Sequence, residues 1–137
     1  MTRRPTITDY MATDLLTLPP EMEINHATAI LLEKGYSGAP VVDNAMKLVG
    51  ILSKKDCLGA ALNASYYQEW GGSVADYMNA DVETLDANLD LVQAAERFLK
   101  SNYRRFPVMC ECRLVGQISR ADLLRAIAEQ WNANRED

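Results

Sequence analysis

Residues 50–56 read Gly-Ile-Leu-Ser-Lys-Lys-Asp, and residues 116–122 read Gly-Gln-Ile-Ser-Arg-Ala-Asp. Glycine, an aliphatic residue, serine and aspartate recur at the same places. Together these types suit an anion and a diol. Where a strand gives way to a helix, free amides and the helix dipole favour a phosphate, and a serine hydroxyl can donate to it. An aspartate one turn further on can accept both hydroxyls of a ribose, as acidic residues do in dinucleotide folds. Glycine just before lets a ligand approach the backbone closely. The same residues also have a purely structural use. Ser-x-x-Asp opening a helix is a capping box, and an acid in the first turn complements the dipole. The two uses are compatible, and the motif leaves both open.

The motif belongs to a longer duplication, and duplication governs the whole fold reading. "ITDYMATDLLTL" from residue 7 aligns with "VADYMNADVETL" from residue 74, and "YSGAPVV" (36–42) aligns with "YRRFPVM" (103–109). After a one-residue shortening, "KLVGILSKKD" (47–56) meets "RLVGQISRAD" (113–122). Identical pairs include Met11/Met78, Asp14/Asp81, Thr17/Thr84, Pro40/Pro107, Gly50/Gly116 and Asp56/Asp122.

The elements that must hold the motif follow from the patterning. Each copy opens with a short extended run, residues 15–18 or 82–85. A helix comes next, with Ile24, Ala27 and Leu31 in one copy and Leu91, Ala94, Ala95, Phe98 and Leu99 in the other at helical spacing. Two apolar strands follow, separated by the polar tips "DNAMK" and "CECR", which read as hairpins. A second helix starts after Ser53 and after Ser119. Each copy is therefore β-α-β-β-α. A single copy is marginal by itself, so the two are expected to pack around one core.

Composition bounds the function. The chain has 137 residues, 48% hydrophobic and 24% charged, as expected of a soluble globular protein. A net charge of −5 argues against nucleic acid, which needs a basic surface. The N-terminal stretch carries two arginines without an apolar region behind them, so no signal peptide is expected. No apolar run approaches the roughly 20 residues that span a bilayer. The cysteines, Cys57, Cys110 and Cys112, are odd in number and suit a reducing compartment, so a cytoplasmic location is expected. Only the polar tail "NANRED" looks low in complexity.

Two β-α-β-β-α copies, each with a Pro-Val strand and a Gly-x-h-Ser-x-x-Asp junction, resemble a tandem pair of CBS domains, a Bateman module. The resemblance runs from about Ile7 to Ile127. It implies an α/β (α+β) fold of two CBS repeats packed about a pseudo-twofold axis. Residues 1–72 would hold the first repeat with an N-terminal segment and linker, and 73–137 the second. It also implies a stand-alone, bacterial-type regulatory module, not an enzyme, that binds adenosyl ligands (AMP, ADP, ATP or S-adenosylmethionine) in two clefts. No cofactor is required, the adenine nucleotide being a regulatory ligand. A homodimer and a regulated partner protein are expected, with neither nucleic acid nor membrane. The family's ribose-binding acid falls on Asp56 and Asp122, and its phosphate-binding hydroxyl on Ser53 and Ser119. Its adenine pocket falls on Thr17, Ala39 and Val41, and on Thr84, Phe106 and Val108. The basic residue that family members often place before the Pro-Val strand falls on Arg105, where the first copy has Gly38.

The copies are thus unequal. With Arg104, Arg105 and Arg120, the second is expected to carry the better phosphate site, guanidinium being a planar donor fork. The competing use of Arg104 and Arg105 is a solvated charge pair. The alternative function is structural homodimerisation, with both motifs kept only as caps. His26 is expected at the surface and Cys110 and Cys112 at a hairpin tip without zinc. Tyr66, Tyr67 and Trp70 are expected to cover core, and Leu124, Ile127, Ala128 and Trp131 to form a mainly buried stripe.

Overall fold

The computed structural model describes residues 4–135. Residues 1–3 of the N-terminal stretch and 136–137 of the polar tail lie outside the described residues. The chain divides into two compact units, Leu16–Val82 (the first unit) and Met1–Leu15 with Glu83–Asp137 (the second).

In the first unit, α1 (Ile24–Lys34) ends at Gly35, whose φ of 70° is the left-handed conformation that closes a helix without a Cβ clash. Strands β1 (Gly38–Val42) and β2 (Leu48–Ser53) form an antiparallel hairpin. Its tip is set by Asp43, whose carboxylate accepts from the amides of Ala45 and Lys47. The expected leading strand is reduced to one residue: Leu18 bridges Val41 in parallel. Helix α2 (Lys54–Tyr67) and a short α3 (Val74–Tyr77) complete the unit. Ile24, Ala27 and Leu31 of α1 bury their shared face against Leu18, Val41 and Leu52, the amphipathic stripe that the sequence predicts.

The second unit repeats this order. Strand β3 (Leu85–Asp86) runs parallel to β4 (Arg105–Cys110), and β4 pairs antiparallel with β5 (Arg113–Ser119). Helices α4 (Leu91–Leu99) and α5 (Arg120–Arg135) flank them. Phe98 meets Phe106 edge-to-face with ring centroids 4.8 Å apart, within a core that includes Ile7, Leu85, Val108, Ile118 and Leu123.

The packed units are not the sequence repeats. Residues 7–12 begin the first copy, yet Ile7 lies in the second unit's core and Ala12 exchanges both backbone hydrogen bonds with Gln117 of β5. Residues 74–79 begin the second copy, yet Val74 lies in the first unit's core and Asn79 pairs in the same way with Ile51 of β2. Each hairpin leaves the outer edge of its second strand open, and the segment that opens the other copy supplies the missing partner.

Expected burials are corrected in three places. Leu99 is 87% exposed, because α4 ends there and the turn carries its side chain off the apolar stripe. Leu124, Ala128 and Trp131 are exposed as well; α5 buries Leu123 and Ala126 and half-buries Ile127, a face one position over from the expected one. Tyr66 and Tyr67 are 74% and 78% exposed and Trp70 is exposed too, at and beyond the end of α2. Among the described residues no helix is long and apolar enough to cross a membrane.

Candidate functional site

Both motifs form the same local structure. Ser53 is the N-cap of α2, its hydroxyl oxygen accepting from the Asp56 amide at 3.1 Å. Asp56 returns the bond: its Oδ2 accepts from the Ser53 amide at 2.9 Å. Ser119 and Asp122 repeat this at the start of α5, with distances of 3.1 Å and 3.0 Å. The structural use of the motif is therefore realised twice. It does not exhaust the residues. A serine hydroxyl that accepts one bond keeps its own proton to donate. Asp56 Oδ1 carries no hydrogen bond or ion pair among the described residues.

The helix amides contribute less than the bare sequence suggests. Lys54 N–H donates to the Ser37 carbonyl and Arg120 N–H to the Arg104 carbonyl. With Asp56 N–H and Asp122 N–H also engaged, an anion would depend chiefly on the hydroxyl and on side-chain cations.

Those cations differ between the units. In the β4–β5 register Arg105 lies opposite Ser119, and in the β1–β2 register Gly38 lies opposite Ser53. Directly opposed residues of an antiparallel pair project from the same face, so the Arg105 side chain rises beside the Ser119 hydroxyl. Arg104, Arg105 and Arg120 are exposed and, among the described residues, none has a carboxylate partner. Their guanidinium groups are thus uncommitted within the described residues. At the first junction Lys54 and Lys55 are exposed and equally uncommitted.

The acids differ too. Asp122 Oδ1 accepts from Arg125 at 2.9 Å. Burial raises the Asp122 pKa, but the Ser119 amide, the Arg125 guanidinium and the Ser119 hydroxyl together outweigh it and hold the carboxyl below its ordinary value. Gly59 stands in the first unit where the second has Arg125, so Asp56 has no such partner.

Of the remaining predicted site residues, Ala39, Val41, Phe106 and Val108 have fully buried side chains within their units' cores. Anything they offer a ligand comes from the backbone. Thr17 and Thr84 are half-buried. Sequence reasoning missed Arg97 and Arg125. Arg97 donates to Glu83 at 3.1 Å and to the Thr84 carbonyl at 3.2 Å, with its guanidinium 5.9 Å from the Phe106 ring centre. No local spacing signals that contact. Arg125, three residues after Asp122 on one helix, was detectable from helical spacing alone.

Gly50 and Gly116 are corrected in role. The space beside each is taken by a methionine, Met78 or Met11, and is not open to a ligand. A cavity of about 700 Å³ in the second unit is lined by Arg4, Asp90, Leu91, Ile127 and Trp131 among others; no residue of the Ser119–Asp122 junction lines it. Among the described residues no three His, Cys, Asp or Glu side chains are placed to hold a metal. Cys110 and Cys112 are exposed at the hairpin tip, and His26 is exposed on α1.

A family model described as CBS domain matches residues 7–63 and again 74–129. Uncharacterized protein MJ1225 of Methanocaldococcus jannaschii is 27% identical over 93% of this chain, and the A-adding tRNA nucleotidyltransferase of Aquifex aeolicus is 32% identical over 90%. The chain spans 45% of the length of the first relative and 14% of the second. Among solved structures, CBSX2 of Arabidopsis thaliana in complex with AMP superposes with a TM-score of 0.76 at 28% identity. That match covers 90% of this chain and 96% of the other.

Proposed function

Because this chain belongs to the CBS domain family and carries two CBS domains in tandem, we propose that it is a regulatory module that binds an adenosyl nucleotide at its strand-to-helix junctions. Binding would signal to a partner protein by a change of shape. The observation that carries this reading is the doubled junction in which a serine keeps a donatable proton and an aspartate faces it one turn away. Three uncommitted arginines at the second junction supply charge for phosphate. The AMP complex of CBSX2, a protein of the same fold and 28% identical, supports the choice of ligand class. Ser53, Asp56, Ser119 and Asp122 would contact phosphate and ribose, Arg105 and Arg120 the phosphates. The backbone around Thr17, Ala39, Val41, Thr84, Phe106 and Val108 would face the base.

The test is a thermal shift with AMP, ADP, ATP and S-adenosylmethionine, followed by calorimetry on wild type and Asp122→Ala. A ligand that binds only the folded chain raises its melting temperature, by about 2.7 kcal/mol of stability at a hundredfold excess over Kd. Asp122→Ala should then weaken nucleotide binding by about 1.5–3 kcal/mol. Lower melting temperatures with unchanged affinity would assign the motif to capping alone.

A second reading has its own support. Leu58 and Leu62 on α2, and Leu124 on α5, are exposed leucines with no cover among the described residues. Exposed leucines of this kind, present on a helix of each unit, suit a homodimer, for which a twofold arrangement is the commonest closed solution. Dimerisation and ligand binding are compatible; dimerisation without ligand is the rival.

A further inference from the structure

The two junctions share a motif but not a chemistry. Gly38 holds the place that Arg105 holds in the second unit, and the backbone explains why no cation sits there. A Cβ on Gly38 would stand 2.8 Å from the Leu52 carbonyl oxygen and 3.2 Å from the Ser53 α-carbon. Both neighbours are main chain of β2, so neither can swing aside. A side chain at 38 would have to push apart the hairpin that presents Ser53. The absence of a guanidinium beside Ser53 is thus built into the strand spacing.

The acids are divided the opposite way. Asp56 uses Oδ2 for the cap and, among the described residues, Oδ1 has no partner, whereas each oxygen of Asp122 accepts one bond, Oδ2 from the Ser119 amide and Oδ1 from Arg125. A diol needs a carboxylate oxygen available to accept from hydroxyls. A polyphosphate needs cations with planar donor forks. The first junction offers an oxygen that accepts from nothing among the described residues and lacks the arginines; the second has the arginines, while each oxygen of its acid already accepts one bond and keeps only its remaining lone pair for a hydroxyl.

We infer that the two junctions are specialised for different ligands: the Ser53–Asp56 junction for a nucleoside or low-charge adenosyl compound gripped by its ribose, and the Ser119–Asp122 junction for a nucleotide gripped by its phosphates together with its ribose. This rests on the nucleotide-binding reading above and goes further by giving each junction its own ligand class. Identical copies of a site would share one ligand preference. Two unequal copies can respond separately to the dephosphorylated and phosphorylated forms.

Calorimetric titration of adenosine and of ATP into the full chain tests this, using wild type, Asp56→Asn, Arg105→Gly and Arg125→Ala. Asparagine keeps a carbonyl oxygen to accept from the Ser53 amide, so the cap survives, and puts a donor where the free acceptor was. Asp56→Asn should weaken adenosine binding about tenfold or more and change ATP binding less than about twofold. Arg105→Gly, which copies the first unit, should do the reverse. Arg125→Ala releases Asp122 Oδ1 and should raise adenosine affinity at the second junction by up to about fivefold, since an exposed pair holds that oxygen only weakly. Circular dichroism confirms that each variant is folded. If both ligands bind wild type and Asp56→Asn and Arg105→Gly weaken them equally, the division is overturned while the nucleotide reading stands. If neither ligand binds wild type, the nucleotide reading fails and the division with it.

Discussion

Met78 occupies the space that a side chain on Gly50 would need: a Cβ there would stand 2.6 Å from Met78 Sδ and 3.0 Å from the Asn79 carbonyl oxygen. Met11 stands in the same relation to Gly116, at 2.5 Å from Sδ, with the Ala12 carbonyl at 2.8 Å. The glycine and the methionine recur together because each pair joins a hairpin to the segment that completes its sheet.

Gly50→Ala and Gly116→Ala should each destabilise the chain by about 1–3 kcal/mol, the usual cost of overpacking. The thioether can give way, but the carbonyl cannot. Gly116→Ala should therefore cost more, and Met78→Ala should rescue Gly50→Ala better than Met11→Ala rescues Gly116→Ala. Urea denaturation of the singles and doubles reads this directly; equal rescue in both units would contradict it.

Ser53→Ala and Ser119→Ala each remove the side-chain acceptor of a capping box. Each should lower stability by about 1 kcal/mol. Glycine at either position should cost only a few tenths. A denaturation series that ranks alanine no worse than glycine would show that the caps contribute little.

Asp122 should make acid stability depend on its partners. Its folded-state pKa lies below the ordinary value of 3.8. The stability it contributes is then fully present above that value and is lost as pH falls through the lower folded-state value. Thermal melts of wild type and Asp122→Asn between about pH 3 and 7 should show a constant wild-type advantage down to the mildly acidic range, narrowing at the lowest pH. An advantage that grows on acidification would reverse the assigned direction.

If the exposed leucines form a homodimer, light scattering should give twice the 15.3 kDa chain mass in the micromolar range. Leu58→Glu with Leu124→Glu should return the monomer mass without lowering the melting temperature of the separated chains, since both side chains lie outside the cores. A wild-type monomer at these concentrations would remove dimerisation from the function.

Local chemistry made much of this protein legible in its sequence. The duplication, the amphipathic face of α1, the hairpins and the capped starts of α2 and α5 all follow from patterns spanning a few residues. Ser53–Asp56 and Ser119–Asp122 are of this kind, because a capping box is complete within one helical turn. The tertiary structure decided what depends on residues far apart in the chain. Residues 7–12 and 74–79 are alike, and nothing within either says which hairpin edge it will pair with; pairing with Gln117 and Ile51 assigns each to the unit formed by the other copy. Only then do Gly50 and Gly116 become seats for methionine. The contact of Arg97 with Thr84 and the exclusion of any side chain at Gly38 were likewise invisible, since both arise from the distance between separate strands and helices. Sequence periodicity specifies which faces are apolar; the geometry of pairing specifies which neighbour each face and edge receives.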